Sequence, residues 1–161
     1  MLPGIYCDAR LPDSLDLRIA AVALALPSDV AVARRTAAWV FGVDALDPRE
    51  HPQVPKVESV VWDQVRRPRH RLSHPHSADD LRVEDVVMIG DVRVTSPLRT
   101  ACDLGRFLPR PQALAAIDAM LHAGLVSQDE LGDQVDRWRR RRGVRQLAEM
   151  VHLSEPACES A

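Results

Sequence analysis

Aromatic residues and lysine are scarce in this sequence. Its 161 residues include two Phe, one Tyr and three Trp, so we predict no row of exposed rings for stacking single-stranded bases. Lysine occurs once, at Lys56, and arginine carries nearly all of the positive charge. The formal net charge is −2 at pH 7. The chain as a whole is therefore not a basic nucleic-acid binder, and any positive surface has to be local.

Cysteines and long apolar runs are also few. The cysteines Cys7, Cys102 and Cys158 are far apart and odd in number, which argues against a disulfide framework or a zinc site and favours a reducing compartment. The longest apolar run, residues 19–26, is too short to cross a membrane. Residues 1–4 lack the charged start and apolar core of a signal peptide. We therefore expect a cytoplasmic protein without a membrane partner.

Catalytic and nucleotide-binding signatures are missing as well. The sequence contains no G-x-G-x-x-G, no Walker A pattern and no G-x-S-x-G. Asp103 follows Cys102, but no histidine has an evident position to complete a nucleophile–base pair. Pairing of Asp103 with Arg99, four residues earlier on a helix surface, is favoured and contributes a few tenths of a kcal/mol. We predict no catalytic residue and no cofactor.

Three histidines, His70, His74 and His76, have the spacing H-x3-H-x-H. Imidazole is a common zinc ligand. On a β-strand, however, these residues would span about 20 Å, and the neighbouring arginines repel a cation. An exposed polar strand face is the favoured interpretation, and we predict no metal ligand.

The strongest local pattern runs from residue 86 to residue 104. Residues 86–89, the turn signal Gly90-Asp91 and residues 92–94 predict a tight β-hairpin. Thr95 or Ser96 then caps a helix in which proline takes the first position. The residues of this structural motif are Thr95, Ser96, Pro97, Arg99, Thr100 and Asp103.

Hydrophobic periodicity predicts mixed structure before this motif and helices after it. We expect an α+β fold, with a small antiparallel or mixed sheet of three or four strands and a C-terminal helical half. Apart from the hairpin, strands are predicted at 5–7, 30–32, 57–62 and 69–74. Apart from the helix at Pro97, helices are predicted at 15–26, 35–42, 112–123, 127–138 and 144–153. The predicted buried stripe of the first helix is Leu15, Ile19, Val22, Ala23 and Leu26.

Two runs of arginine are the candidate DNA- or partner-binding residues. The first is Arg137, Arg139, Arg140, Arg141 and Arg142, and the second is Arg67, Arg69 and Arg71 beside Arg66. Such runs hold phosphates, with each contact adding salt-dependent affinity. A solvated helix end is the alternative for the first run, because cations suit the helix dipole there and Asp133 and Asp136 lie nearby. Both interpretations stay open.

Four stretches together resemble the AbiEi-type antitoxins of type IV toxin–antitoxin systems, in their actinobacterial members. They are LPGIY (2–6), RTAAWVFG (35–42), VTSPLRTACDL (94–104), and AIDAM (116–120) with GVR (143–145). The resemblance covers nearly the whole chain, and its motifs are structural rather than catalytic. It implies that residues 1–12 are the remnant of an N-terminal wing strand, 13–153 the central domain, and 154–161 a tail or linker.

The resemblance also implies a function. Family members carry a DNA-binding winged helix before the central domain, and many continue into an endonuclease-like domain after it. We expect this chain to keep only the last wing strand of the winged helix, without its recognition helix, and to lack the endonuclease-like domain. It implies a non-enzymatic antitoxin and transcriptional regulator, whose partners are a nucleotidyltransferase-like toxin and DNA. Two alternatives stay open: a remnant of a metal-dependent nuclease using Asp103, Glu58 or the histidines, and an inactive truncated product.

Overall fold

In the residues that the structure describes, the fold combines a five-stranded mixed sheet with six α-helices. The structure is a computed structural model that describes residues 4–26, 30–45, 57–61, 73–76 (backbone alone for 73–75) and 81–154. The helices are α1 (Leu15–Ala25), α2 (Arg34–Val40), α3 (Pro97–Phe107), α4 (Arg110–His122), α5 (Gln128–Arg137) and α6 (Val144–Leu153). The strands are β1 (Val30–Val32), β2 (Val57–Val61), β3 (Ser73–His76), β4 (Val86–Ile89) and β5 (Val92–Thr95). The predicted α+β class is confirmed, although the described part of the sheet has five strands rather than three or four.

The strand order in the sheet is β3-β2-β1-β5-β4. β1 runs parallel to β5 and β2 parallel to β3, whereas β1–β2 and β4–β5 are antiparallel. The third strand was predicted at 69–74 but lies at 73–76; residues 69–72 are outside the described part. It contains Pro75 and occupies the end of the strand order, where a missing ladder N–H is tolerated.

The junction between the hairpin and α3 has the predicted form. Residues 86–89 pair antiparallel with 92–95 across the two-residue turn. The hydroxyl of Ser96, rather than that of Thr95, caps α3 by accepting a hydrogen bond from the Arg99 N–H at 3.2 Å. Proline takes the first helical position, where no N–H is needed. The serine cap and the proline therefore reduce the number of unpaired backbone N–H groups where the strand passes into the helix.

The N-terminal region departs from the prediction. Ser14 caps α1 as expected, but Leu15 is 44% exposed and Ala23 is exposed. Apolar residues occur all round this helix, so their periodicity does not define which face is buried. Residues 5–7, predicted as a strand, have no regular secondary structure. The side chains that α1 buries are Ala21, Val22 and Ala25.

The C-terminal helices follow their start and stop signals closely. Ser127 and Glu130 form the predicted capping box of α5, with both reciprocal hydrogen bonds present. α4 begins at Arg110, two residues before the predicted start, because proline is tolerated in the first turn of a helix. None of the helices in the described ranges is long and apolar enough to span a bilayer.

Two hydrophobic clusters form most of the core. One lies between α1, α2 and the sheet, and includes the buried side chains of Val22, Val32, Val40, Val57 and Val94. The other lies among α3 to α6 and includes Leu104, Ile117, Met120, Leu131 and Leu147. α3 approaches its neighbours closely at Gly105, where an added Cβ would lie 2.5 Å from a methyl group of Leu147. α2 joins the two clusters, since Ala37 contacts the first and Ala38 the second.

Candidate functional site

The arginine turn, residues 137–145, joins α5 to α6 and presents several guanidinium groups to solvent. Its exposed members are Arg137, Arg139, Arg140, Arg142 and Arg145. Arg141 differs, because it is partly buried and its guanidinium lies 4.8 Å from the centre of the Trp138 ring. The structure thus places four of the five predicted contact residues of this run at the surface and the fifth against an aromatic side chain.

The electrostatics of the arginine turn are positive despite nearby acids. Six arginines against Asp133 and Asp136 leave a net charge of +4 over residues 133–145. Asp136 accepts a hydrogen bond from the Arg139 Nη2 at 2.9 Å, but both side chains are more than two-thirds exposed, so this ion pair contributes little to stability. The exposed arginines of the turn therefore present positive charge to a partner or to counter-ions.

Trp138 forms a platform beneath the turn. Its side chain is 4% exposed, so little of the ring reaches solvent. The guanidinium groups of Arg99 and Arg106, both from α3, lie 5.2 and 4.8 Å from the ring centre. Each such cation–π contact contributes about 0.5–2 kcal/mol. The turn is therefore held on its inner side by aromatic and cationic groups of the core.

The backbone of the turn is fastened to α3. Arg106 donates from Nε to the carbonyl oxygen of Arg142 at 2.8 Å. Gly143 has a φ of +77°, and an added Cβ there would lie 2.7 Å from the carbonyl oxygen of Arg106, so only glycine fits without strain. Gln146 donates to the carbonyls of Gly105 and residue 108, each at 2.8 Å. These contacts fix the exposed arginines on a defined backbone.

Arg99, Asp103, Arg106 and Asp85 form a buried ion-pair cluster. Arg99 donates from Nε to Asp103 and from Nη1 to Asp85, both at 2.9 Å, and Arg106 donates from Nη1 to Asp103 at 3.1 Å. Arg99 and Asp103 are each 2% exposed. The predicted surface pair is therefore wrong: the i,i+4 pairing is present, but Asp85 and Trp138 shield it from solvent.

Burial dominates the titration of the neighbouring acidic groups. It raises the pKa of Asp103, against the lowering effect of the Arg99 and Arg106 guanidiniums. It also raises the pKa of the Cys102 thiol to about 12, so this thiol is protonated at neutral pH and is a poor nucleophile. The buried ion-pair cluster therefore acts as a structural support for the turn.

A second polar cluster, the Arg34 cluster, lies between α2, β2, β3 and the end of α3. Glu58 contacts His76 Nε2 through Oε1 at 3.1 Å and accepts from the Arg35 N–H through Oε2 at 2.9 Å. Arg34 Nη1 lies 3.3 Å from the same His76 nitrogen, and its guanidinium lies 4.5 Å from the centre of the Phe107 ring. Burial raises the pKa of Glu58, but the hydrogen bonds from His76 and Arg35 hold it below its ordinary value.

Arg34 also has an unusual backbone. Its φ is +50°, and every other residue with positive φ in the described part of the chain is glycine. A side chain held in this region costs about 1–3 kcal/mol. Sequence reasoning missed this residue, because an arginine next to a strand end carries no signal of a left-handed backbone.

The remaining predicted residues fall into two groups. Arg67, Arg69 and Arg71, with His70, lie outside the described residues. His76 is described, and its side chain is only 16% exposed and contacts Glu58, so it does not belong to an exposed polar face. Among the described residues there is no group of three or more His, Cys, Asp or Glu side chains that could hold a metal ion.

Comparison with known proteins identifies the domain. Residues 30–153, from β1 to α6, match the family model described as the AbiEi antitoxin C-terminal domain. The chain belongs to the AbiEi antitoxin family. The resemblance inferred from sequence motifs is thereby confirmed. α1 precedes the part matched to the AbiEi model, although it packs against the sheet of that domain.

Two relatives of this AbiEi domain come from Mycobacterium tuberculosis. Both are uncharacterized proteins, one from strain CDC 1551 and one from strain H37Rv, and each is 29% identical over 169 aligned residues. The alignments cover 98% of this chain but 54% of each relative, so the chain spans about half the length of the curated relatives it matches. No solved structure matches the chain significantly.

Proposed function

We propose that this AbiEi domain is a non-enzymatic antitoxin domain that acts in the cytoplasm by binding, with the arginine turn as its contact surface. Membership of the family supports an antitoxin role. We choose this surface because several exposed arginines lie on one turn, and because Arg106 and Gly143 fix the backbone of that turn. Fixing a backbone before binding lowers the entropy lost on association.

The first proposed partner is a nucleotidyltransferase-like toxin. Arginine is enriched in protein interfaces, because its planar guanidinium binds carboxylates through two hydrogen bonds. Several arginines on one turn would steer an acidic partner surface toward the domain and raise the association rate. The toxin surface that binds here is therefore expected to carry Asp and Glu residues.

The second proposed partner is DNA, as expected of an antitoxin that also regulates transcription. Guanidinium groups that neutralise phosphates release counter-ions, and each contact adds about 0.9 to the slope of log affinity against log salt concentration. Arg67, Arg69 and Arg71 belong to this proposal as a second group of basic contact residues. DNA binding through these groups would be salt-dependent and largely independent of base sequence.

The alternative of a nuclease-like remnant has less support. Its proposed acidic residues are engaged elsewhere: Asp103 accepts hydrogen bonds from two arginines, and Glu58 contacts His76 and a backbone N–H. A carboxylate occupied in this way is a poor metal ligand or general base without rearrangement. We therefore favour association over hydrolysis as the mechanism.

Charge removal on the turn tests this proposal. The test variant combines Arg139→Ser, Arg140→Ser and Arg142→Ser, and its charge-matched control combines Arg10→Ser, Arg82→Ser and Arg110→Ser at exposed positions elsewhere. Titration calorimetry with the toxin, and retention of duplex DNA at 50 and 200 mM salt, give the two affinities. We expect the test variant to bind either partner at least about tenfold more weakly than the control. Equal affinities of test and control variants for both partners would reject the arginine turn as the contact surface.

A further inference from the structure

Arg34 combines several unfavourable features in one residue. Its backbone is in the left-handed region that glycine prefers. Its Nε atom is buried without a hydrogen-bond partner, although buried donors are normally paired. Burial lowers the pKa of its guanidinium, against the raising effect of the nearby Glu58 carboxylate. None of these features stabilises the folded chain, so a function outside folding would account for an arginine here.

The contact of Arg34 with His76 does not satisfy its guanidinium. His76 Nε2 lies within 3.1 Å of Glu58 and 3.3 Å of Arg34 Nη1. One ring nitrogen cannot donate to a carboxylate and accept from a guanidinium at the same time. When His76 donates to Glu58, Arg34 has no hydrogen-bond acceptor among the residues that the structure describes.

The position of Arg34 fits a single anionic group. The side chain is only partly exposed, and the Phe107 ring lies 4.5 Å from its guanidinium. An aromatic ring beside a guanidinium favours cation–π stacking. Because Nε is buried and Nη1 lies against His76, Nη2 is the guanidinium nitrogen that an acceptor could reach. The site is thus a recessed cation with an apolar flank.

We propose that Arg34, flanked by Phe107, is a binding subsite for one carboxylate from an acidic segment of a protein partner. A guanidinium N–H donates a charge-assisted hydrogen bond to a carboxylate, which is stronger than a bond between neutral groups. A DNA backbone fits less well, because it presents a row of phosphates and needs a row of exposed cations, whereas Arg34 is recessed beside the negative Glu58. This inference does not depend on the arginine turn.

Stability measurements give the first test. Arg34→Gly removes the guanidinium and relieves the backbone, and Arg34→Lys keeps the charge and the left-handed backbone. We expect the glycine variant to melt at the same temperature as the unmodified protein or at a higher one. The lysine variant should melt no higher than the unmodified protein. A lower melting temperature for Arg34→Gly than for Arg34→Lys would overturn the proposal, because the side chain would then serve the fold.

Binding of a carboxylate probe gives the second test. The Nε–Hε signal of Arg34 is followed by NMR while sodium acetate, inorganic phosphate or sodium chloride is added at matched ionic strength, with Arg82→Ser as the control variant. We expect a saturable shift with acetate that is absent with chloride and has the same dissociation constant in Arg82→Ser. No response beyond that of chloride, or tighter binding of phosphate than of acetate, would overturn the carboxylate assignment.

Binding measurements distinguish the Arg34 subsite from the contact surface proposed on the arginine turn. Arg34→Gly is expected to weaken protein-partner binding at least tenfold while leaving DNA retention unchanged. Loss of DNA retention on this substitution would contradict the carboxylate subsite. Loss of binding in the arginine-turn variant alone, with Arg34→Gly binding its partner normally, would overturn the subsite and leave the proposed function intact.

Discussion

Replacing Asp103 by asparagine tests the buried ion-pair cluster. The substitution keeps the shape of the side chain and removes its charge. Arg99 and Arg106 each donate to this carboxylate, at 2.9 and 3.1 Å, and both guanidiniums are almost fully buried. Removing one partner of a buried ion pair costs about 3–5 kcal/mol, because an uncompensated charge stays in the interior. We expect a loss of this size in the free energy of unfolding of Asp103→Asn.

Asp136→Asn is the matched control. Asp136 also accepts a hydrogen bond from an arginine at 2.9 Å, but it is 68% exposed and its partner Arg139 is 75% exposed. Exposed ion pairs contribute about 0.2–1 kcal/mol. The two substitutions are chemically identical, so the difference between them reports the burial of Asp103 together with its second arginine contact.

Urea unfolding at pH 7 gives the free energy of unfolding of both variants, and thermal unfolding gives their melting temperatures; both are followed by circular dichroism. For a chain of this size 1 kcal/mol corresponds to about 2–4 °C in melting temperature, so Asp103→Asn should melt about 6–20 °C below the unmodified protein and Asp136→Asn within about 4 °C of it. An unchanged urea dependence would show that the unfolded states are comparable. Equal losses of about 1 kcal/mol or less in both variants would refute the reasoning that burial makes the cluster important.

Three further results are expected. Gly143→Ala should destabilise the fold by about 1 kcal/mol or more, because residue 143 has a positive φ and lies close to a carbonyl oxygen. Gly132→Ala, with open space around it inside α5, should instead stabilise the fold by up to about 1 kcal/mol. Equal effects of the two substitutions in thermal unfolding would contradict this expectation. Because the folded-state pKa of Glu58 lies below its unfolded value of 4.5, its stabilising contribution is present above that pH and lost as pH falls. Glu58→Gln should therefore reduce the loss of unfolding free energy between neutral and acidic pH. The same loss in the variant and the unmodified protein would contradict this role of Glu58. Iodoacetamide at pH 8 should label exposed Cys7 and leave Cys102 unlabelled in the folded protein, and rapid labelling of Cys102 by mass spectrometry would disprove its burial.

Local sequence signals predicted the elements that depend on neighbouring residues. The two-residue turn at Gly90, the Ser96 cap and the capping box from Ser127 to Glu130 all appear as expected. Each feature joins residues no more than a few positions apart, so its physics is contained in a short stretch of sequence. The C-terminal helices were found for the same reason.

Features that depend on distant contacts were missed. The pairing of Arg99 with Asp103 could be predicted from spacing, but not its burial, since this requires Asp85 and Trp138 from other elements. The left-handed backbone of Arg34 has no local signature and is fixed by the packing of α2 on β2. The arginine turn was found as a run of charge, whereas its attachment to α3 was not.

Neutralisation in cells tests the central claim that this domain acts as an antitoxin through the arginine turn. The toxin proposed as partner, a nucleotidyltransferase-like protein, is induced in bacteria together with the unmodified chain, the Arg139→Ser/Arg140→Ser/Arg142→Ser variant, or the Arg10→Ser/Arg82→Ser/Arg110→Ser control, at equal protein levels. We predict colony survival with the unmodified chain and the control, and loss of survival with the arginine-turn variant. Equal survival with all three chains, or toxicity with all three, would contradict this account.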